Sequence, residues 1–284
     1  MSMAKKGKYY PVMRQTQLGK PLGPSQPNSL IRVDKVMSEM NRRLYRQHKI
    51  YRCKVSISDT DATVNQEVWA LAPTWWVLNA LRKARAHFNE AMEDEVAQAG
   101  TGRYYDFRIS MGAGAQAWDG LAGLYRNPQS GIDSYITEGE YVYSDVRCAD
   151  DNDRTFALVG PSSLSQYNVF EEYDRMGQAV VDPADGVNLG GYTDLIESID
   201  NENVSHITSA GDSPPYDADD FPNLKWVKVG HLLRSTNGSQ TLSTGFFDAP
   251  LGMIWLPNHT VGTNLNLDLE VQKGDYKGLC AYDI

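Results

Sequence analysis

The chain has 284 residues, 41% apolar and 22% charged, with a net charge of −9, enough material for a sizeable core and too ordinary a balance for wholesale disorder. Sixteen Tyr, six Trp, 24 Gly and 13 Pro favour strands joined by many turns over a helical bundle. No run of eighteen apolar residues occurs, which argues against a membrane-spanning helix.

Charge is unevenly placed. Residues 1–54 hold 13 Lys/Arg against Asp34 and Glu39 only, a surplus of 11; the remainder holds 14 against 34, a deficit of 20. Such a split calls for a polyanion on one side and a different environment on the other. The opening "MSMAKKGKYYPVM" has lysines but no apolar run behind them, so no secretory signal is expected. "QLGKPLGPSQPNSL" carries three prolines and two glycines within residues 17–30, and residues 1–29 read as a flexible basic arm. From residue 30 to 284 a single domain is expected.

From Asp34, read as an N-cap, Val36, Met37, Met40 and Leu44 share one helical face, with Lys35, Arg42, Arg46 and Lys49 on the other. Residues 40–57, "MNRRLYRQHKIYRCKVSI", then hold six Lys/Arg and no carboxylate. Their second half alternates: Tyr51, Cys53, Val55 and Ile57 against Arg52, Lys54 and Ser56, the pattern of a half-buried strand with a basic outer face. "TWWVLNALRKARAHFNEAMEDEVAQAG" predicts a helix over about 74–98, capped by Thr74, with Leu78, Leu81, Phe88 and Met92 inward and Gly100 as its stop. "SLSQYNVFEEYDRMG" predicts a second, over about 165–176.

Strand patterns recur in "YYDFRISM" (104–111), in "NLNLDLEV" (264–271), and at 65–71, 140–148, 154–159 and 251–256. "WVKVGHLLRS" and "QTLSTGFF" flank "TNGS", where Asn237-Gly238 signals a hairpin. The stretch 177–222 has no sustained periodicity and reads as a long irregular loop region. The expected fold is therefore all-β: an antiparallel sandwich of about eight strands with two inserted helices and long loops.

Motifs for chemistry are weak. "GAGAQA" (112–117) fits a dinucleotide fingerprint, but "WDGLAGLYRNPQSG" after it breaks the helix the pyrophosphate needs. "GDSPP" (211–215) places Ser213 before two prolines rather than at a nucleophile elbow. The five histidines never fall at zinc-ligand spacing. "DDNDR" (150–154) and "DADD" (217–220) lack the order of a calcium loop, although acidic loops can bridge subunits through Ca²⁺. Cys53, Cys148 and Cys280, widely spaced and odd in number, read as reduced thiols. Neither catalysis nor a cofactor is expected. Trp69, Trp75, Trp76 and Trp118 suit a subunit interface or, alternatively, a sugar-stacking platform of a carbohydrate- or receptor-binding module.

What remains is nucleic-acid binding without base reading. Lys and Arg neutralise phosphates and release counterions, and interleaved Tyr9, Tyr10, Tyr45 and Tyr51 offer stacking, though Tyr51 reads better as core. The candidates are Lys5, Lys6, Lys8, Arg14 and Lys20 in the arm, and Lys35, Arg42, Arg43 and Arg46 at the ordered edge.

In layout the chain resembles the capsid proteins of small icosahedral viruses, most of all those with circular single-stranded DNA genomes. "NRRLYRQHKIYRCKVSI" leading into the first strand and the closing "FFDAPLGMIWLPNHTVGTNLNLDLEVQKGDY" carry the likeness. The resemblance implies an eight-stranded viral jelly roll, many copies of which self-assemble into a virion shell inside the host cell. The basic segment would meet packaged single-stranded DNA, and the loops would face outward toward a host receptor.

Overall fold

A computed structural model describes residues 11–18, 29–58, 64–100, 102–110, 143–147, 153–158, 166–178, 225–234, 240–257 and 266–284. The chain divides into two compact units, Met1–Phe170 with Trp226–Ile284, and Glu171–Lys225. Of the second, residues 171–178 and Lys225 are described.

The first unit is mostly antiparallel β. One sheet runs β1 (Gln15–Leu18), β12 (Asn266–Val271), β3 (Lys49–Ser58), β10 (Phe247–Pro250), and β14 (Ala281–Asp283) also pairs with β3. The second runs β2 (Ser29–Arg32), β11 (Met253–Leu256), β4 (Val64–Leu71), β8 (Trp226–Arg234), β9 (Gln240–Thr241). Successive strands keep changing sheet, so each sheet joins the two ends of the chain. The third, smaller sheet is β5 (Asp145–Arg147), β6 (Asp153–Ala157) and β7 (Gln166–Asn168), whose β6–β7 pair is parallel. β13 (Lys273–Tyr276) lies between β12 and β14 in the chain.

The alternation in β3 is realised. Tyr51, Cys53 and Val55 are fully buried, and Leu269 and Val271 of β12 meet Val55 and Cys53 in register. Val68 of β4, Leu232 of β8 and Ile254 of β11 complete the same core from the other sheet. Each such side chain taken from water contributes about 1.5–3 kcal/mol, which makes this shared aliphatic layer the main support of the sandwich. The Asn237-Gly238 turn lies outside the described residues, but Leu233↔Thr241 and Arg234↔Gln240 pair antiparallel on either side of it.

Several expectations are corrected. Residues 15–18 of the expected arm form β1, with Gln15, Thr16, Gln17 and Leu18 paired to β12. Asn41 anchors this strand, accepting from the Met13 N–H at 2.8 Å and donating to the Met13 carbonyl at 3.0 Å. Helix α1 (Val33–Asn41) starts one residue before Asp34, which is therefore inside the first turn and pairs with Arg32 instead of capping.

The long helix is two: α2 (Trp75–Ala91) and α3 (Glu93–Ala99). Thr74 does cap α2, accepting from the Val77 N–H at 3.4 Å. Its buried stripe is Val77, Ala80, Leu81, Ala84 and Phe88, leaving Leu78 and Met92 half-buried; α3 buries nothing. The shorter helix is α4 (Val169–Gln178), preceded by β7 rather than extending back to 165.

"YYDFRISM" is no strand. Among its described residues only Ser110 bridges a neighbour, Ala157, and Asp106 and Arg108 are buried together with Phe107 and Ile109. Phe107 faces an aromatic core, 5.2 Å from Phe88 and 5.1 Å from Phe156 between ring centroids. The polar residues on its opposite side are buried as well, so alternation here separates two interiors.

Candidate nucleic-acid interface

The loop from α1 to β3 is built to turn its basic residues outward. α1 stops at Arg42, which takes a left-handed conformation (φ 49, ψ 42), with the Arg43 N–H returning to the Ser38 carbonyl at 3.2 Å. Such a cap satisfies helix-end carbonyls. Every second residue then anchors inward. The Tyr45 N–H donates to Ser38 Oγ at 2.9 Å. The Gln47 side chain pairs both ways with the Ile109 backbone at 2.8 Å, and the Gln47 N–H reaches Asp106 Oδ2 at 2.8 Å. Arg46, lying between them, is left exposed with Arg42, and Arg43 is half-buried.

A distant hairpin completes the rim. Lys277 and Gly278 both have positive φ (51 and 93) and separate the bridged residues Tyr276 and Leu279, the requirement of a type I′ hairpin turn. Lysine pays for that conformation with backbone strain of about 1–2 kcal/mol. Tyr45 donates its hydroxyl to the Lys277 carbonyl at 3.1 Å, and Lys277 Nζ donates to the Leu44 carbonyl at 2.6 Å. The Tyr276 hydroxyl accepts from the Arg46 N–H at 3.1 Å.

The outcome is a basic rim with one half-buried ring, Tyr276, which meets the fully buried Tyr45 edge to face at 6.0 Å between centroids. Lys49 Nζ lies 4.3 Å and Lys277 Nζ 5.4 Å from the Tyr276 ring centre. Burial, then the nearby Arg43 and Arg46 guanidinium groups, lower the Lys277 ammonium. Carboxylates on the same elements are Glu39, Asp275 and Asp283; Asp283 pairs with Lys49 at 2.5 Å. Neither Arg42 nor Arg46 has an ion pair among the described residues. Two of the three described non-glycine residues with positive φ, Arg42 and Lys277, stand in this rim, and strain of this kind clusters where function demands a fixed side-chain direction.

Of the sequence candidates, Arg42, Arg43 and Arg46 are brought together. Lys5, Lys6, Lys8 and Lys20 lie outside the described residues. Arg14 is half-buried just before β1, where its carbonyl accepts from the Val271 N–H at 2.8 Å. Lys35 is not on the outward face: it is 8% exposed, because α1 lies with its first turn inside the fold. Burial and the adjacent Arg32 bring its ammonium down to about 8.

The basic outer face expected on β3 is present but neutralised. Arg52 and Lys54 do point outward, but Asp248 and Glu270 stand opposite them in register and form ion pairs at 3.4 and 2.5 Å. Lys277 was missed, since a Tyr-Lys-Gly turn gives no sign of its neighbours 232 positions away. Lys49, read only as part of the helical basic face, is the other addition to the rim.

The tryptophans do not form one platform. Trp69 sits 5.9 Å from Trp255, which meets Trp226 at 5.8 Å, whereas Trp76 stacks on Phe170 at 5.4 Å. Trp75 is 69% exposed at the start of α2, and Trp118 lies outside the described residues. "GAGAQA", "GDSPP" and "DADD" also lie outside them, as do residues 150–152 of "DDNDR". No group of three His, Cys, Asp or Glu side chains able to hold a metal occurs among the described residues. Cys53 and Cys280 are free thiols. No protein-family model, curated protein or solved structure matches the chain.

Proposed function

We propose that the chain is a shell-forming capsid protein whose rim at residues 42–49 and 276–277 holds single-stranded nucleic acid without sequence preference. The observation that carries this reading is the rim: Lys49 and Lys277 over the half-buried ring of Tyr276, Arg43 and Arg46 beside Lys277, and Arg42 next to them along the loop. Cations that neutralise phosphates beside aromatic rings suit unpaired strands, because every base has a face to stack. The repeated exchange of strands between two sheets supports a viral jelly roll as the finer fold. Nucleic acid packaged inside a shell needs binding indifferent to sequence, and this rim has no base-reading motif.

The test is the purified full chain under negative stain, together with anisotropy titration of a labelled single-stranded oligonucleotide across a salt series. Closed particles and an affinity that falls with salt are expected. A monodisperse monomer at high concentration, or binding that ignores salt, overturns the reading. Saturable quenching of tryptophan fluorescence by glycans, without assembly, would replace it with the carbohydrate-binding alternative.

A further inference from the structure

The outer face of α2 and α3 is unpartnered among the described residues, and its charge is divided along its length. The buried stripe Val77, Ala80, Leu81, Ala84 and Phe88 fixes which side of α2 faces inward. Opposite it, at helical spacing, run Trp75, Arg82, Ala86, Glu90 and Glu93, all exposed. α3 prolongs this face: the Met92 N–H still reaches the Phe88 carbonyl at 3.0 Å, and the Val96 N–H reaches the Met92 carbonyl at 3.0 Å. The first half presents Arg82 and Lys83 and holds no acid. The second presents Glu90, Glu93 and Asp94 and holds no base.

Neither half is balanced locally. Arg82 donates to the Asn79 side chain at 2.9 Å, and neither it nor Lys83, Glu90, Glu93 or Asp94 has an ion pair among the described residues. No opposite charge stands three or four positions from any of them. Glu90 instead lies three and four positions from Glu93 and Asp94, spacings at which like charges repel. It also sits in the last turn of α2, where the helix dipole disfavours an acid. α3 has seven residues and buries none of them, and so short a helix is marginal in water without packing. At the other end of the face Trp75 is 69% exposed, a side chain of the kind that anchors interfaces.

Such a face complements itself when reversed. We propose that α2 and α3 form a two-fold contact with the same helices of a second copy of the chain, antiparallel and centred on Ala86. Reversal about that residue brings Lys83 opposite Glu90 of the second copy and Arg82 opposite its Glu93, and symmetry repeats both pairs. Trp75 comes over Ala97, whose small side chain leaves room for the indole, and Ala86 at the centre lets the helices approach. A two-fold contact closes on itself, so it adds one joint to the proposed shell without depending on a shell.

The test is charge reversal in the full chain, read by sedimentation velocity at low salt. Arg82→Glu/Lys83→Glu and Glu90→Lys/Glu93→Lys should each weaken self-association by about 100-fold, because every attractive pair becomes repulsive. Mixed in equal amounts, the two variants should associate again, one acidic face against one basic face. A mixture that restores nothing overturns the proposal, as does either variant associating like the wild type. Loss of oligonucleotide binding in Arg82→Glu/Lys83→Glu, with self-association unchanged, also overturns it and assigns that half to nucleic acid. Should a reversal variant fail to fold, Ala86→Cys decides: mild oxidation should give a disulfide-linked dimer above the wild-type level, and its absence removes the contact. Closed particles lacking that cross-link would leave the shell and sink the contact, whereas cross-linked dimers without particles would do the reverse.

Discussion

The rim at residues 42–49 and the outer face of β3 are neighbours in sequence and both basic, but only the loop of the rim, at Arg42 and Arg46, keeps exposed charge without an ion pair among the described residues; Lys49, where β3 begins, is already paired with Asp283. On β3, Arg52 and Lys54 find Asp248 and Glu270 opposite them, carried in by strands from the far end of the chain. Lys54 also lies over the Phe246 ring at 5.2 Å. At the rim, α1 ends in a left-handed cap and the chain leaves the sheet before pairing begins, so Arg42 and Arg46 meet no cross-strand carboxylate. Regular pairing neutralises; the irregular loop preserves. Charge in a sequence window therefore stays unpaired only where the backbone escapes the ladder.

The largest effect should come from removing the rim. Arg42→Ala/Arg43→Ala/Arg46→Ala is expected to weaken single-stranded oligonucleotide binding by about 100-fold at low salt and to flatten the log–log salt slope by about 2, from three lost phosphate contacts. Arg52→Ala/Lys54→Ala should change neither quantity appreciably. Anisotropy titrations of both variants between 50 and 300 mM salt, salt values on the order of those that separate phosphate contacts, decide the matter. Equal losses in the two variants would erase the distinction between rim and strand.

Much of the fold was legible for reasons the rim also illustrates. β3 and β12 were readable because a period of two places Tyr51, Cys53, Val55, Leu267, Leu269 and Val271 in one apolar layer. The cap at Thr74 was readable because its partner lies three residues away. "YYDFRISM" misled because alternation records a difference between two faces and does not say whether the polar one meets water. The strand in the arm was hidden for a different reason. Gln15–Leu18 has little apolar character of its own, and pairing with β12 decides its structure. Of the site, Arg42, Arg43 and Arg46 were legible as a basic run. The burial of Lys35 depends on which way α1 rolls, and the arrival of Lys277 depends on long-range topology.

A smaller difference should appear in acid, because the rim rests on a buried base and the strand face does not. His48, 4% exposed between Gln47 and Lys49, has its imidazole pushed down to about 3, by burial first and then by Arg85. Between pH 6.5 and 3 the unfolded chain takes up this proton and the folded chain does not. Stability should thus fall as pH drops through that window, by about 1.4 kcal/mol per pH unit from this residue. Asp106, whose carboxyl burial raises, acts in the opposite sense, so the wild type alone is ambiguous. His48→Leu keeps the volume filled beside Phe107, 6.2 Å away, and removes only the titration. Urea unfolding from pH 7 to 4 should show a visibly shallower decline in the variant; parallel curves would show that His48 protonates freely in the fold.

The smallest expected effect runs in the opposite direction, a gain made by subtraction. Asp248→Asn/Glu270→Gln keeps the size of both side chains while releasing Arg52 and Lys54, whose ion-pair partners are about one-third exposed. Surface pairs of this kind contribute at most about 1 kcal/mol each, so the sandwich should survive. If pairing is what silences β3, the variant should bind oligonucleotide about threefold more tightly, with a salt slope steeper by roughly 1 as two cations become available to phosphate. If affinity stays fixed, neutralisation is not the reason for the silence. The flat sheet face would then fail on shape despite the Phe246 ring beside Lys54, because it lacks the irregular loop and hairpin that set Lys49 and Lys277 over Tyr276. Binding would depend on the shape of the surface as much as on its charge.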